Sequence, residues 1–170
     1  MTIRRPRALT SALALALTLT ALTAPLLGQS TPPASTELRY RVELGDQADD
    51  RFRVQLSVDG LTEESAVLQF AATAPGTYQV MDVGRFVEDL RVTDAAGGEI
   101  PVERVSTNQW RITAPGDARQ VTYRIAETFD TPVEEHPVYP MAGTSIEADH
   151  MLFNAHAVLA FPTGMQDAPA

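Results

Sequence analysis

Three histidines and their acidic neighbours are the residues of this sequence whose types could hold a metal ion. His150 and His156 stand six positions apart, and Glu147 and Asp149 come just before them. Imidazole nitrogens and carboxylate oxygens bind zinc when they converge on one point. On a continuous strand, however, two residues six apart share a face at a separation of about 20 Å. That distance is too long for one ion, so we predict no metal site here and expect a polar strand face instead.

A second candidate for metal chemistry is the run Glu134-Glu135-His136, which looks like part of the zinc motif H-E-x-x-H. That motif works because a helix places two histidines one turn apart with the glutamate as the base. Here the run holds one histidine, and Pro137 follows it in a segment typical of a loop. We interpret the run as a solvated group of charges.

The other common catalytic arrangements are missing from the sequence. It contains no cysteine and no G-x-S-x-G motif. Glu88 and Asp89 are adjacent, so we expect a strand to point them to opposite faces, where they could not act as a pair. No helix follows Gly97-Gly98 that could hold a phosphate group. The sequence therefore predicts no catalytic residue, no metal ligand and no cofactor within this chain.

Aromatic side chains offer one further kind of site, a platform on which a sugar could stack. The candidates are Trp110, Tyr78, Tyr123 and Phe153. Trp110 and Tyr123 belong to segments in which apolar and polar residues alternate, and for these two we predict a place in the core.

The elements that must position all these residues are short strands with one apolar face. Residues 37–44, 51–58 and 120–128 alternate between apolar and polar side chains, which is typical of half-buried strands. About eight such strands, without an amphipathic helix, predict an all-β fold, an antiparallel β-sandwich. Pro101 cannot donate to a strand ladder, so its strand is predicted at a sheet edge.

The first two strands also predict their own register. Each carries two arginines on its polar face, at 39 and 41 and at 51 and 53. Like charges that face each other directly across two strands are destabilising. We therefore expect a register that sets the arginines apart or pairs them with Glu37 and Glu43.

Residues 73–94 break the regular alternation and predict a corner between two layers. Pro75 and Gly76 form a tight turn before Tyr78, and the glycine should adopt the positive φ of a type II turn. After Gly84, the apolar side chains at 86, 90 and 92 share one parity, as in a strand with one buried face. Residues 86, 87 and 90 also fit a short helical turn, so both interpretations stay open.

The N-terminus and the net charge predict where the protein resides and what it does not bind. Arg4, Arg5 and Arg7 precede an uncharged apolar run, which is typical of a secretory signal peptide over residues 1–28, cleaved between 28 and 35. A retained membrane anchor and twin-arginine export are the alternatives. Loss of those three arginines changes the net charge from −9 to about −12, which disfavours nucleic acid and anionic lipid as partners. We expect an exported protein, periplasmic or extracellular, with residues 29–36 as a linker.

Several motifs, in order and spacing, resemble the N-terminal β-domain of the glycyl aminopeptidase-type zinc metallopeptidases, peptidase family M sixty-one. They are Pro75-Gly76-x-Tyr78, Gly84-Arg85-Phe86-Val87-x-Asp89, Thr93-Asp94, Asn108-Gln109-Trp110, the Val-x-Tyr-x-Ile strand at 121–125 and Met151-Leu152-Phe153-Asn154. The resemblance covers about residues 37–161, the predicted domain. It implies a β-sandwich in a protein family whose members often carry a PDZ domain. Their zinc and their peptide-cleaving site belong to a catalytic domain that lies outside this sequence.

The resemblance implies a non-catalytic role beside that catalytic domain. Residues 151–161 are apolar at both parities and are predicted as one long strand, whose outer face the catalytic domain would cover; residues 162–170 would be a truncated linker toward it. His150, Asn154 and His156 share a parity at the border and are our candidates for contacting the amino end of a peptide substrate in the full enzyme. The alternative is a free-standing secreted module that binds a glycan or a protein.

Overall fold

The computed structural model describes residues 37–43, 49–74, 76, 79–133 and 136–166, and these form an all-β fold in antiparallel sheets. The predicted signal peptide and linker, residues 1–36, lie outside the described part. Eleven strands occur in the described residues: β1 Arg39–Glu43, β2 Arg51–Ser57, β3 Val67–Gln69, β4 Val87–Thr93, β5 Glu99–Ile100, β6 Val102–Ser106, β7 Gln109–Ile112, β8 Gln120–Ala126, β9 Ser145–Ile146, β10 Met151–Leu152 and β11 Phe161–Pro162. The excess over the predicted eight comes from two-residue strands that hydrophobic alternation does not reveal.

Two sheets make up the body of the fold. One has five strands in the order β1-β2-β8-β4-β5, the other has four in the order β11-β3-β7-β6, and β9 pairs with β10. Pro101 lies between β5 and β6, which are edge strands of different sheets. The predicted edge position is thus confirmed, since the proline stands where the chain leaves one sheet and enters the other.

The core lies between the two sheets. Phe52, Val54 and Leu56 of β2 are buried, and so are Val121, Tyr123 and Ile125 of β8, whereas the residues between them are more exposed. Aromatic rings join the two layers, because the ring of Phe70 meets Trp110 at 5.4 Å and Tyr123 at 5.1 Å, both edge-on. Trp110 and Tyr123 are therefore core residues, as predicted.

The register of β1 and β2 keeps their arginines apart, as predicted from their charges. Arg39 lies opposite Ser57, Arg41 opposite Gln55, and Glu43 opposite Arg53. An arginine never meets an arginine across this pair, and the one facing charge is opposite in sign, which favours the pairing.

The corner contains a short helical turn, but not at residues 86, 87 and 90, where the sequence left one open, because Val87 and Leu90 lie in β4. Residues Val83–Phe86 form a 3-10 helix, and β4 begins directly after it. Gly76 has φ +81, as the predicted turn requires, whereas Pro75 and Tyr78 lie outside the described residues. Val92 is buried, whereas Phe86, in the 3-10 helix, and Leu90, where the β4–β8 register shifts, are only half-buried.

The predicted long strand at 151–161 is wrong. This segment holds β10, then the four-residue helix α1 Ala155–Val158, and then β11. Two tyrosine hydroxyls replace a strand ladder there: Tyr123 donates to the carbonyl of Val158 at 2.8 Å and accepts from the amide of Ala160, and Tyr40 donates to the carbonyl of Ala160. The segment is thus fixed to the five-stranded sheet by side chains.

The folded domain also extends past residue 161, where the sequence analysis placed its end. Pro162 of β11 lies opposite Leu68 of β3, and the amide of Thr163 donates to the carbonyl of Val67 at 2.7 Å. Met165 packs against the core. The described part of the predicted linker therefore belongs to the domain.

Among the described residues there is no helix with the length and apolar character needed to cross a membrane.

Candidate functional site

A buried carboxylate organises the loop that follows β8. Glu127 is only 1% exposed. Its oxygens accept hydrogen bonds from the amides of Phe129 at 2.7 Å, Asp130 at 3.2 Å and Thr131 at 3.1 Å, and from the Thr131 hydroxyl. Burial raises the pKa of Glu127 and the nearby Asp130 raises it further, against the opposing effect of the amides. The ring of Phe129, in contrast, is 74% exposed on this fixed loop.

Two further segments are hydrogen-bonded to this loop or to each other. Thr144 and Thr128 exchange backbone and side-chain hydrogen bonds, which join the loop to residues 141–146. The side-chain amide of Asn154 donates to the carbonyls of Met141 and Gly143, the latter at 2.6 Å, and β10 pairs with β9. The loop after β8, the 141–146 segment and residues 151–154 therefore form one connected structure at the end of β8.

Each of these three segments exposes large apolar side chains. We call this group the apolar rim, and it consists of Phe129, Met141, Leu152 and Phe153. Phe153 is anchored edge-on against the core residue Phe52 at 5.8 Å between ring centroids, yet remains 39% exposed. The rim therefore consists of apolar groups on segments whose backbone is held by buried polar groups, an arrangement typical of a preorganised contact surface.

The structure does not place the three predicted substrate-cleft residues on one strand face, because that strand is interrupted by α1. His150 is exposed, and its Nδ1 lies 2.8 Å from Oδ1 of Asp149, a contact that lowers the pKa of that carboxyl. Asn154 supports the rim through its side-chain amide. His156 lies in α1, where burial lowers its pKa, and its Nε2 meets no hydrogen-bond partner among the described residues.

The described residues contain no group of three or more His, Cys, Asp or Glu side chains that could hold a metal ion. Glu134 and Glu135 lie outside the described part. His136 has a left-handed backbone with φ 51, and its carbonyl accepts a hydrogen bond from the guanidinium of Arg85. A zinc ion therefore has no fitting ligand set in the described part of this chain.

The expectation that Glu88 and Asp89 point to opposite faces is wrong. Asp89 adopts a left-handed backbone with φ 52, and the strand bulges there. Both carboxylates consequently reach the guanidinium of Arg124, at 3.1 Å for Glu88 and 2.7 Å for Asp89. The side chain of Arg51, which bonds Glu88 directly, is the main cause of the lowered pKa of that carboxyl. An aspartate within an alternating run was the signal for this, since Asp tolerates the left-handed region better than most residues.

Two of the motifs singled out in the sequence meet at Asn108. Its Oδ1 accepts from the amide of Gly84 at 2.9 Å, and its Nδ2 donates to Asp82 at 2.7 Å. Its carbonyl accepts from the amide of Phe70. A side chain at position 84 would collide with this arrangement, because a Cβ there would lie 2.8 Å from the Cα of Asn108 and closer still to the carbonyl of Thr107. The Gly84 and Asn108 motifs thus form one contact between the corner and the β6–β7 turn.

The family model of the Peptidase M61 N-terminal domain matches residues 39–170. The chain belongs to this family. The matched residues include the corner, the Asn108 contact and the apolar rim. The motifs by which the sequence resembles this peptidase family therefore lie within one domain. No curated protein matches the sequence.

A comparison with solved structures finds the crystal structure of an aminopeptidase N family protein from Idiomarina loihiensis, with a TM-score of 0.64 and 19% sequence identity. The similarity covers 76% of this chain and 20% of that chain, so this chain spans about a fifth of the length of that protein. At this identity the likeness shows the fold alone. The peptidase-family domain and a domain of that protein thus share a β-sandwich.

Proposed function

We propose that this domain serves as the non-catalytic N-terminal domain of an exported zinc-dependent aminopeptidase. In this proposal the apolar rim packs on the catalytic domain, which holds the zinc ion and cleaves the peptide. The observation that carries the proposal is the rim itself, in which a buried glutamate fixes a loop so that a phenylalanine is presented to solvent. Membership of a peptidase N-terminal domain family supports the identity of the partner.

Docking would bury the apolar side chains that the rim leaves exposed to water. Full burial of a phenylalanine, methionine or leucine side chain stabilises a protein by about 1.5–3 kcal/mol relative to leaving that side chain in water. Aromatic residues and methionine are enriched at protein interfaces. Because Glu127, Thr144 and Asn154 already hold the rim backbone, docking would cost little conformational entropy. The rim therefore has the chemistry and the rigidity of an interface for an apolar surface of the catalytic domain.

We further propose that residues beside the rim contact the peptide substrate. Asn154 lies within the rim segments, and His150 and His156 flank it along the chain. After docking, His150 and Asn154 would stand at the border between the domains and contact the amino end of a peptide, where an imidazole nitrogen or an amide oxygen accepts a hydrogen bond. His156 would join them only after a rearrangement of α1, because its Nε2 is buried. The zinc would come from the catalytic domain, because the described residues of this chain offer no ligand set for it.

The test uses calorimetry between the purified chain and a separately produced catalytic domain of this peptidase family. Leu152→Asp is expected to weaken binding at least tenfold, because the charge would have to be buried in an apolar contact. Val105→Asp is the matched control, since Val105 is as exposed as Leu152, at 47%, but lies on β6 at the edge of the four-stranded sheet. Equal effects of the two substitutions, or no binding of the unmodified chain, would refute the rim as the docking surface.

The alternative is a free-standing secreted module that binds a glycan or a protein. The coding sequence beyond Ala170 distinguishes it from the proposed role. The proposal expects the reading frame to continue beyond Ala170 into a segment with an H-E-x-x-H motif. A stop codon directly after Ala170 would favour the alternative. Phe153 is the one candidate for sugar stacking that the structure leaves partly exposed, since Trp110 and Tyr123 are buried and Tyr78 lies outside the described residues.

A further inference from the structure

The outer face of the five-stranded sheet is rich in arginine, although the protein as a whole is acidic. The chain has 22 acidic residues and 13 basic ones, all arginine, three of which lie in the predicted signal peptide. Strands β1, β2, β8 and β4 together carry three carboxylates, Glu43, Glu88 and Asp89. The same four strands carry six arginines: Arg39, Arg41, Arg51, Arg53, Arg91 and Arg124. With Glu37, Asp49 and Glu99, which lie beside these strands or on β5, six carboxylates match the six arginines, so this face is close to neutral whereas the chain has a net charge of −9.

One half of this face is neutralised by its own ion pairs. Arg51 binds Glu88 with two hydrogen bonds of 2.9 and 3.0 Å, and Arg124 binds both Glu88 and Asp89. Arg53 pairs with Asp49 at 2.7 Å. The bulge at Asp89 brings the additional carboxylate into this network. These arginines are therefore engaged by the protein itself, at least in part.

The neighbouring row across the sheet is different, because its cations are not neutralised in this way. The register places Arg41 opposite Gln55, Gln55 opposite Thr122, and Thr122 opposite Arg91. Arg91 is exposed, and its side chain makes no hydrogen bond or ion pair with any described residue. Arg41 has only a contact of 3.7 Å with Glu43, in which both side chains are mostly exposed. At about 4.8 Å per strand, the two arginines stand about 14 Å apart with an amide and a hydroxyl between them.

A shallow groove of about 340 Å³ lies beside Arg91 and is lined also by Gln55, Thr122 and Asp89. Arg53 and Arg124 of the ion-paired half line it as well, whereas Arg41 does not. The guanidinium group, the amide and the hydroxyl can all donate hydrogen bonds to an anion, and a guanidinium matches the geometry of a carboxylate. The carboxylates of Asp89 and Glu43, which also line the groove, would repel a polyanion. They would accept hydrogen bonds from amides beside a single negative charge. Such a pattern fits a peptide better than a nucleic acid or a polyphosphate.

We propose that this groove binds a peptide carboxylate, with Arg91 as the main contact and Gln55 and Thr122 as the floor. The carboxylate comes from an acidic side chain or from the carboxyl terminus of the peptide. The site is independent of the apolar rim, because it lies on the outer face of the large sheet and uses none of the rim residues. Whether or not this groove binds a peptide, the proposed docking of the apolar rim on the catalytic domain is therefore unaffected.

The test is fluorescence anisotropy with the purified chain and three labelled glycine-serine peptides. One carries an internal glutamate and an amidated carboxyl end, one has only a free carboxyl end, and one has neither. We expect the first or the second to bind and the third not to bind, with affinity falling as salt concentration rises. The first two peptides distinguish a side-chain carboxylate from a terminal one.

The decisive variants are Arg91→Gln and Arg111→Gln. Arg111 is also exposed, and its side chain makes no hydrogen bond or ion pair among the described residues, but it lies on β7 in the four-stranded sheet. Arg91→Gln is expected to weaken binding about fivefold or more, because a charge-assisted hydrogen bond is lost, whereas Arg111→Gln should have no effect. Equal losses from both would show attraction by charge alone and overturn the proposal. So would equal binding of the neutral peptide, absence of binding by all three, or stronger competition by inorganic phosphate than by acetate.

Discussion

At the scale of single residues, the fold depends on two glycines for different reasons. Gly84 is required by space, since its neighbours are the backbone atoms of Thr107 and Asn108. Gly76 is required by conformation, because it adopts φ +81 although a Cβ there would meet nothing within 4 Å. Gly116 provides a control for both, since a Cβ there would also meet nothing and its φ is not in the left-handed region.

Gly84→Ala is expected to destabilise the domain by about 2–3 kcal/mol, because the added methyl group meets backbone that cannot turn away as a side chain could. The contact that joins the corner to the β6–β7 turn would have to open. Urea unfolding followed by tryptophan fluorescence measures the effect, since Trp110 lies in β7. A loss no larger than that of Gly116→Ala would mean that the two segments do not approach each other as described.

Gly76→Ala is expected to cost about 1 kcal/mol through backbone strain alone. Gly116→Ala should be neutral or slightly stabilising, because alanine reduces the conformational freedom of the unfolded chain. The same urea titration compares the two variants. If they behaved alike, the turn at Gly76 would have a conformation that any residue can adopt.

At the scale of elements, the strands that were predicted well are those held by hydrophobic alternation. The alternation at 51–58 and 120–128 gave β2 and β8 with their correct buried faces, because every second side chain enters the core. The segment at 151–161 was mispredicted because tyrosine hydroxyls from β1 and β8 satisfy its backbone. Neither those long-range bonds nor the bulge at Asp89 is visible in local periodicity. For the same reason the rim could be foreseen only at Leu152 and Phe153, since the burial of Glu127 depends on the folded context.

The tyrosine attachment of the terminal segment predicts a loss of stability at alkaline pH. Burial raises the pKa of Tyr40 to about 12 and also raises that of Tyr123, whereas an unfolded tyrosine has a pKa of about 10. Because the folded state keeps these protons longer, the stabilisation is fully present below about pH 10 and decreases as pH rises toward about 12. Urea midpoints measured across that range should fall.

Tyr40→Phe should make this alkaline decrease shallower, because one of the two groups with a raised pKa is removed. Tyr139→Phe is the control, since Tyr139 is half exposed and outside the core. An unchanged slope in Tyr40→Phe would show that the hydroxyl bonded to Ala160 does not titrate differently in the folded protein.

At the scale of the whole molecule, polar and apolar features divide the surface into areas with different chemistry. The outer face of the five-stranded sheet carries the arginines, and the end of β8 carries the apolar rim. The chain has 22 acidic residues against 13 arginines, which accounts for its net negative charge. The proposed role assigns the exposed aromatic groups at that end to a contact with a partner domain, whereas the alternative would assign Phe153 to a sugar.

Hydrogen–deuterium exchange of the purified chain, with and without the catalytic domain of a peptidase of this family, tests whether that domain docks on the apolar rim. We expect slower exchange in the loop after Glu127, in residues 141–146 and in residues 151–154 when the catalytic domain is present. Exchange in β6, at the edge of the four-stranded sheet, should stay the same. Protection confined to the arginine-bearing strands, or no protection at any position, would contradict the claim that the apolar rim is the surface on which the catalytic domain docks.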